Sequence, residues 1–422
     1  MPGKLNIFQR SMLQWNELHP YNAVNVVRIR GALDLERLQK AINGTLETWG
    51  ITGLTLNRKN GKFSYRGGAV RCEIKIIAGG ENSLSIEVQR QINTAFSTDE
   101  NFNPFRFFVA PGQDSFALGL VYFHAIADDG AVMILLKDIV NAYFWKNASA
   151  PVELYPPRHD HLLRHHPVLL VRKLAAIPSL VGNMRNSSRP PCRDSQNMEN
   201  GFDFFSLKPE TLKSLLKTAK SWDVKLNDLF LAILLICFSP LAEAQSARRK
   251  KISVGCVVNT RNEIGMHAGR TLGLFLGSFI VSHEVPSGIS EKNLTTEIRR
   301  QTLAIKRKQL YLGAPMEMAF ARLLLPWLSP ARQEKLFRQN FPLWGGITNM
   351  NLNSLWQPDE KSPLEYFRAV STGPAVPLVL SVTTFNDYVN MAITFRTSIY
   401  SAAQIGRIKN GFLEMAAQLA AA

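Results

Sequence analysis

The sequence predicts an α/β (α+β) protein built as two halves of similar size, each a mixed sheet flanked by helices. Three observations point that way. Strand-like and helix-like runs alternate from Asn25 to Phe144. A stretch from Asn147 to Asn200, broken by Pro151, Pro156, Pro157, Pro167, Pro178, Pro190 and Pro191, interrupts them. A second alternation runs from Phe202 to the end of the chain. The 422 residues suffice for two or three ordinary domains. Apolar residues make up 46% and charged residues 19%, the balance of a globular chain. The expected boundaries are residues 1–146, a basic connector 147–200, and 201–422.

The elements follow in order. Asn25–Gly31 is a strand of mixed burial. Asp34 is the expected N-cap of the next helix, because its short carboxylate can accept from an orphan amide of the first turn. Leu33 and Leu38 stand at staple spacing around it, and Leu35, Leu38, Ile42 and Leu46 share one helical face directed at a sheet. Short strands are expected around Ile51–Leu56, Lys62–Tyr65 and Cys72–Ile77, separated by Gly and Asn. Leu84–Ala95 reads as helix, and Phe105–Val109 and Phe116–His124 as strands. Ala131–Phe144 is a helix with Val132, Leu135, Leu136 and Ile139 inward. The connector holds one short basic amphipathic helix near Leu169–Leu180.

In the second half, Phe202–Leu207 is a strand, and Pro209–Trp222 and Leu226–Phe238 are helices. The run Leu229–Ala242 falls short of the roughly 20 residues that span a bilayer. With Asn227 and Asp228 at its start, it is expected to be a buried core helix. Strands at Ile252–Asn259 and Leu274–Ser282, a long helix Ile289–Arg307, strands Val379–Phe385 and Met391–Phe395, and a helix Ser401–Leu419 complete the chain.

Composition excludes several function classes. Cys72, Cys192, Cys237 and Cys256 form no CxxC pair, so neither a disulfide scaffold nor a cysteine zinc site is expected, and reduced thiols fit the cytoplasm. Met1–Trp15 lacks the charged-then-apolar pattern of a secretory signal. The net charge of +16 suits a nucleic acid, an anionic membrane surface or a polyanionic substrate. No zinc finger, aromatic RNA-binding signature or dense basic arm is present, so nucleic acid is not expected. GxGxxG and P-loop patterns are also missing. His159, His161, His165 and His166 crowd the connector, but without the glutamate of HExxH they read as a solvated linker, and no metal is expected.

The segment LVYFHAIADDG (Leu120–Gly130) carries the chemistry. An apolar strand ends in His124, a turn holds Asp128 and Asp129, and a helix follows. His124 thus stands at the carboxyl end of a strand, where open sheets place ligands. Neutral imidazole is suited to proton transfer near pH 7. A hydrogen-bonded core histidine is the plain alternative.

The segment resembles the HHxxxDG motif of the CoA-dependent acyltransferase superfamily, which includes chloramphenicol acetyltransferase, condensation domains of nonribosomal peptide synthetases, plant BAHD acyltransferases and bacterial wax ester synthases. Other segments match in order: NIFQRSMLQW and YNAVNVVRIRGALDLERLQKAIN at the start, VKLNDLFLAIL (Val224–Leu234), VVNTR (Val257–Arg261), LGLFLGSF (Leu272–Phe279) and GGITNMN (Gly345–Asn351). Phe123 stands where the first motif His would be, and Asp129 replaces the motif Gly, with Gly130 one place later. If the register is kept, Asp128 is the motif aspartate; if the turn holds an inserted residue, Asp129 is.

The resemblance implies two chloramphenicol-acetyltransferase-like subdomains with an active-site channel between them. It implies acyl transfer from a thioester, acyl-CoA or an acyl carrier protein, to a hydroxyl or amine acceptor, with His124 as general base. Asp128 and Arg261 would form a structural ion pair across the halves. Asp129, Gly130, Thr348 and Asn349 would be possible substrate contacts. No cofactor is implied beyond coenzyme A as part of the substrate. The expected protein is a cytoplasmic monomer with a possible peripheral contact at the inner membrane surface through the connector helix. Alternatives are a non-catalytic docking module of the same fold, favoured by the altered turn, and plain thioester hydrolysis. The run ARRKK (Ala247–Lys251) is an exposed turn or a landing site for phosphates or an acidic carrier.

Overall fold

A computed structural model describes the chain apart from residues 1, 99, 146–149, 156–166, 244–248, 264–269, 354, 357–362 and 422 and, within 315–341, all but 318, 327–329 and 332. The His159–His166 cluster and Arg248 lie outside the described residues.

In chain order the first elements are β1 (Pro2–Lys4), α1 (Ile7–Leu18), β2 (Asn22–Arg30), α2 (Leu35–Trp49), β3 (Leu54–Asn57), β4 (Lys62–Tyr65), β5 (Ile74–Ile76), α3 (Glu81–Asn93), β6 (Phe105–Pro111), β7 (Ser115–Phe123), α4 (Asp129–Trp145) and β8 (Glu153–Leu154). Then come α5 (Pro167–Asn186), β9 (Asn200–Leu207), α6 (Pro209–Ser221), α7 (Leu226–Glu243), β10 (Lys251–Asn259), β11 (Thr271–Leu272), β12 (Leu276–Glu284) and α8 (Glu291–Arg307). After them stand β13 (Gly345–Asn351), β14 (Glu365–Val370), β15 (Leu378–Phe385), β16 (Tyr388–Arg396) and α9 (Ala402–Ala421).

The chain forms two compact units that interleave in sequence. The first comprises 1–162, 259–276 and 351–371, and the second 163–258, 277–350 and 372–422. The boundaries expected at 146 and 200 therefore do not describe the units, because two late segments return to the first. The reason is a sheet edge that local alternation cannot reveal: β14 pairs antiparallel with β2, placing Phe367 opposite Val26.

The first unit is built on a mixed five-stranded sheet, in the order β14-β2-β7-β6-β5. Strand β7 reads SFALGLVYF and is buried along all but its first residue, the signature of a strand covered on both faces. Gly119 stands opposite Phe108 on β6, and a Cβ there would come 2.0 Å from the Phe108 ring, so only glycine fits. Asp34 caps α2 by accepting from the Arg37 amide at 3.0 Å. Leu38, Ile42 and Leu46 of that helix are buried; Leu35, in the first turn, stays 37% exposed. All four predicted inward residues of α4 are buried.

The second unit carries a six-stranded sheet, in the order β12-β10-β13-β15-β16-β9, mixed because β10 and β13 run parallel while β15, β16 and β9 are antiparallel. Helix α7 is long and apolar enough to cross a membrane by composition, but Leu229–Leu235 and Phe238 sit in this unit's core. The connector helix is longer than expected: α5 runs through Pro178, which is exposed.

Candidate active site

Strand β7 ends at Phe123 and α4 begins at Asp129, so the motif occupies one tight turn. The His124 amide donates to the Tyr21 carbonyl at 3.1 Å, holding the strand end against the residue before β2. The imidazole stacks on Tyr21, with ring centroids 5.2 Å apart at 18°, and meets Tyr122 edge-on at 5.6 Å. Its Nδ1 lies 2.9 Å from the Ala127 carbonyl oxygen. A carbonyl only accepts, so Nδ1 carries the proton and the neutral ring keeps its lone pair on Nε2. Among the described residues no group hydrogen-bonds Nε2.

Asp128 is the N-cap of α4, and its Oδ1 accepts from the Ala131 amide at 2.9 Å. Its Oδ2 accepts from the Phe275 amide at 2.9 Å, and Arg261 Nη1 reaches the two oxygens at 2.8 and 2.6 Å. The Asp128 amide in turn donates to the Gly273 carbonyl at 2.9 Å. Phe275 also lies under the Arg261 guanidinium, 4.6 Å from ring centroid to Cζ. The carboxylate is saturated by donors and its ion pair is almost wholly buried, so its work is to hold the turn. Asp128 is therefore the residue that meets Arg261. Arg261 belongs with the first unit through the returning segment 259–276, so the pair lies within one unit rather than across the halves.

Gly130, expected as a possible substrate contact, has a steric role: a Cβ there would stand 2.9 Å from Arg261 Nη1. Asp129 is also spoken for. Its Oδ1 accepts from the Tyr122 hydroxyl at 2.8 Å and its Oδ2 pairs with Arg368 on β14, whose side chain is 2% exposed. Burial pushes the Asp129 carboxyl up, but the Arg368 and His124 charges and the bonds from Tyr122 and Arg368 outweigh it, and the group is held below the usual carboxylate range. Burial, reinforced by Asp129, raises the Tyr122 hydroxyl well above its ordinary value. Both carboxylates also sit at the positive end of α4.

Thr348 and Asn349 lie on β13 in the second unit, half-buried and exposed respectively. Among the described residues no cluster of His, Cys, Asp or Glu could hold a metal. Sequence reasoning passed over Tyr21, Tyr122 and Arg368. The signal for Arg368 was present in EYFRAV, a charge inside an apolar strand that must have a buried partner. Tyr21 had no comparable signal.

The condensation domain of the monacolin K polyketide synthase MokA superposes with a TM-score of 0.72 at 11% identity, covering 100% of this chain and 98% of that one. The NRPS cyclization-docking bidomain EpoB of Sorangium cellulosum gives 0.74 at 12% identity, over 100% and 84%. Polyketide synthase associated protein 5 of Mycobacterium tuberculosis gives 0.67 at 13% identity, over 98% of each chain. At these identities the likeness is one of fold. No curated protein matches the sequence. Residues 185–422, more than half of the chain, match the family model described as the condensation domain. The chain, with its paired α/β units, belongs to the condensation-domain family.

Proposed function

We propose that this protein is an acyltransferase that moves an acyl group from a thioester to a hydroxyl or amine, with His124 as general base. Membership in the condensation-domain family supports an acyl-transfer or condensation reaction. The observation that carries the assignment is the tautomer. Ala127 holds the proton on Nδ1 and leaves the Nε2 lone pair for chemistry. Nε2 takes the proton of the acceptor O–H or N–H as the oxygen or nitrogen attacks the thioester carbonyl. The C–S bond of the tetrahedral intermediate then breaks, and the imidazolium returns the proton to the leaving thiolate. The base is regenerated, no acyl-enzyme forms and no cofactor is consumed. Acid–base help of this kind is worth about 10² to 10⁴ in rate. Tyr21 stacking and the Nδ1 bond fix the ring before substrate arrives, which is the positioning part of catalysis.

The donor is acyl-CoA or an acylated carrier protein; both are anionic, and the +16 chain suits either. A panel of acyl-CoA and acyl-carrier thioesters, scored by thiol release with and without alcohols and amines, tests the assignment. Acceptor-dependent release that His124→Ala abolishes is the expected result. Release without an acceptor would make the protein a hydrolase. No release from any donor would make it a docking module.

A peripheral contact with an anionic membrane is compatible with this chemistry. Helix α5 contains no Asp or Glu, exposes Val168, Val171 and Leu174, and carries exposed Arg172 and Arg185. Co-sedimentation with phosphatidylserine vesicles, lost on Val171→Asp and missing with phosphatidylcholine vesicles, is the expected outcome. Equal recovery in the supernatant with both lipids overturns it.

A further inference from the structure

We propose that Asp129 and Arg368 form a charge clamp that sets the ionisation of His124 and, through Tyr122, fixes its orientation. Both are positioning residues; neither is assigned to the reacting atoms. The proposal deepens the assignment of His124 as base and rests on it for its meaning, but its first measurement does not need activity.

The clamp is an addition to the turn. The Asp128–Arg261 pair already closes the loop, and the Asp128 oxygens are occupied by Arg261 and two amides. Asp129 is a second carboxylate at the same helix start, at the position where the resembled motif has glycine. One of its oxygens accepts from Tyr122, and the Tyr122 ring packs edge-on against His124. The other pairs with Arg368, a guanidinium 2% exposed on β14. A line of contact thus runs from Arg368 through Asp129 and Tyr122 to the imidazole.

The groups facing His124 within the first unit can be named. Tyr21 stacks from the residue before β2, Tyr122 stands on β7 and Asp129 on α4. Arg368 and Tyr366 stand on β14, within electrostatic reach of Asp129. Burial pushes the hydroxyls of Tyr21, Tyr122 and Tyr366 upward, so the tyrosines stay neutral in the working range. The Asp128–Arg261 pair is balanced and committed to the turn. Asp129 and Arg368 are then the adjustable charges. A carboxylate near an imidazole favours its charged form and a guanidinium disfavours it, so the two charges oppose each other beside His124. The Asp129 carboxylate also keeps Tyr122 seated against the ring.

The test is the pH titration of His124 in histidine-labelled protein by NMR, its signal assigned with His124→Ala. The variants are Asp129→Asn, Arg368→Met and the pair combined. Asp129→Asn should lower the imidazole midpoint and Arg368→Met should raise it, each by about one pH unit at low salt. The double variant should return near wild type. Shifts of the same sign, or none, overturn the clamp, because a purely structural pair has no reason to give opposite signs. Either single variant breaks a buried ion pair and can fail to fold. In that case the double variant and Tyr122→Phe decide. The double variant should titrate near wild type, and Tyr122→Phe, which keeps every charge, should lower kcat about tenfold with KM unchanged. A displaced midpoint in the double variant, or an unaltered kcat in Tyr122→Phe, overturns the proposal. Normal turnover in His124→Ala would remove the base assignment, while the titrations would still report on the clamp.

Discussion

Each compact unit buries an aspartate at the start of an apolar helix, Asp128 at α4 and Asp228 at α7. Asp128 is the N-cap, holds the Ala131 and Phe275 amides and meets Arg261 at 2.6 Å. Asp228 is the third helical residue. It reaches back to the Lys225 amide at 3.0 Å, accepts from the Thr302 hydroxyl at 2.8 Å and stands 3.6 Å from Arg299. Both answer the same need, since a buried helix start leaves orphan N–H groups and a positive partial charge. The difference lies four residues upstream. His124 precedes Asp128 at the mouth of a strand; Val224, buried and apolar, precedes Asp228. A buried carboxylate paired with arginine is thus a folding device in both units, and the residue presented by the turn before it decides where chemistry is possible.

Breaking that comparison at its chemical end should have the largest effect. His124→Ala is expected to lower kcat by about 10² to 10⁴ while the melting temperature stays near wild type. Val224→Ala should do the reverse, costing about 0.5–3 kcal/mol in urea unfolding with transfer retained. Next comes the carboxylate itself. Arg261→Ala or Asp128→Asn leaves a buried charge or donor set without its partner, and should cost about 3–5 kcal/mol together with most activity. Asp228→Asn, whose arginine is more distant and whose other partners are neutral, should cost about 1–3 kcal/mol with transfer retained. Equal losses at the two sites would dissolve the distinction.

A smaller effect is expected in acid. Asp129 is held below the usual carboxylate range, and the bonds from Arg90, Lys75 and Gln91 outweigh burial to bring Glu87 down to about 2. A carboxyl depressed in the folded state stabilises it above its unfolded value, near 4, and that stability is lost as pH falls through the folded value. The first unit should therefore lose stability from pH 4 towards pH 2, read by chemical unfolding, and Asp129→Asn should flatten part of that limb. The smallest effect concerns Arg249 and Lys250, exposed before β10. Reversing their charge should raise KM for an anionic donor a few-fold at low salt, with kcat unchanged and the difference gone at high salt.

Most local structure was legible because it is written locally. Asp34 announces α2, Lys62–Tyr65 is a strand with those ends, and the buried faces of α4 follow from its spacing. The place of His124 at a strand end and its aspartate four residues on were also readable. Two things were not. The choice between Asp128 and Asp129 turns on which arginine each meets, and the arginines lie far along the chain, at 261 and 368. The division into units failed for the same reason, since nothing in EYFRAV says that it borders β2. Helix α1 was passed over although Asn6 and Gln9 form a capping box, a signal hidden because the box uses Asn rather than Ser or Thr.

Strand β14 has a consequence for how the protein is made. It completes the first sheet at β2, where Arg28 and Glu365 meet although they stand 337 residues apart in sequence. On the ribosome, β2 emerges early and waits with one apolar edge unpaired while segments 163–258 and 277–350 of the second unit are synthesised. An open edge of that kind is a template for wrong pairing with other nascent chains. Until β14 arrives, Asp129 also lacks its guanidinium, so the helix start beside His124 carries an unbalanced charge. The first unit, though its first strands are translated early, thus cannot complete its sheet until β14 is made. Contacts this distant in sequence slow folding, because the entropy of closing the loop is lost before the sheet repays it. Such a chain needs protection during synthesis rather than after it, and cutting it at the connector would yield two products of which the earlier is incomplete.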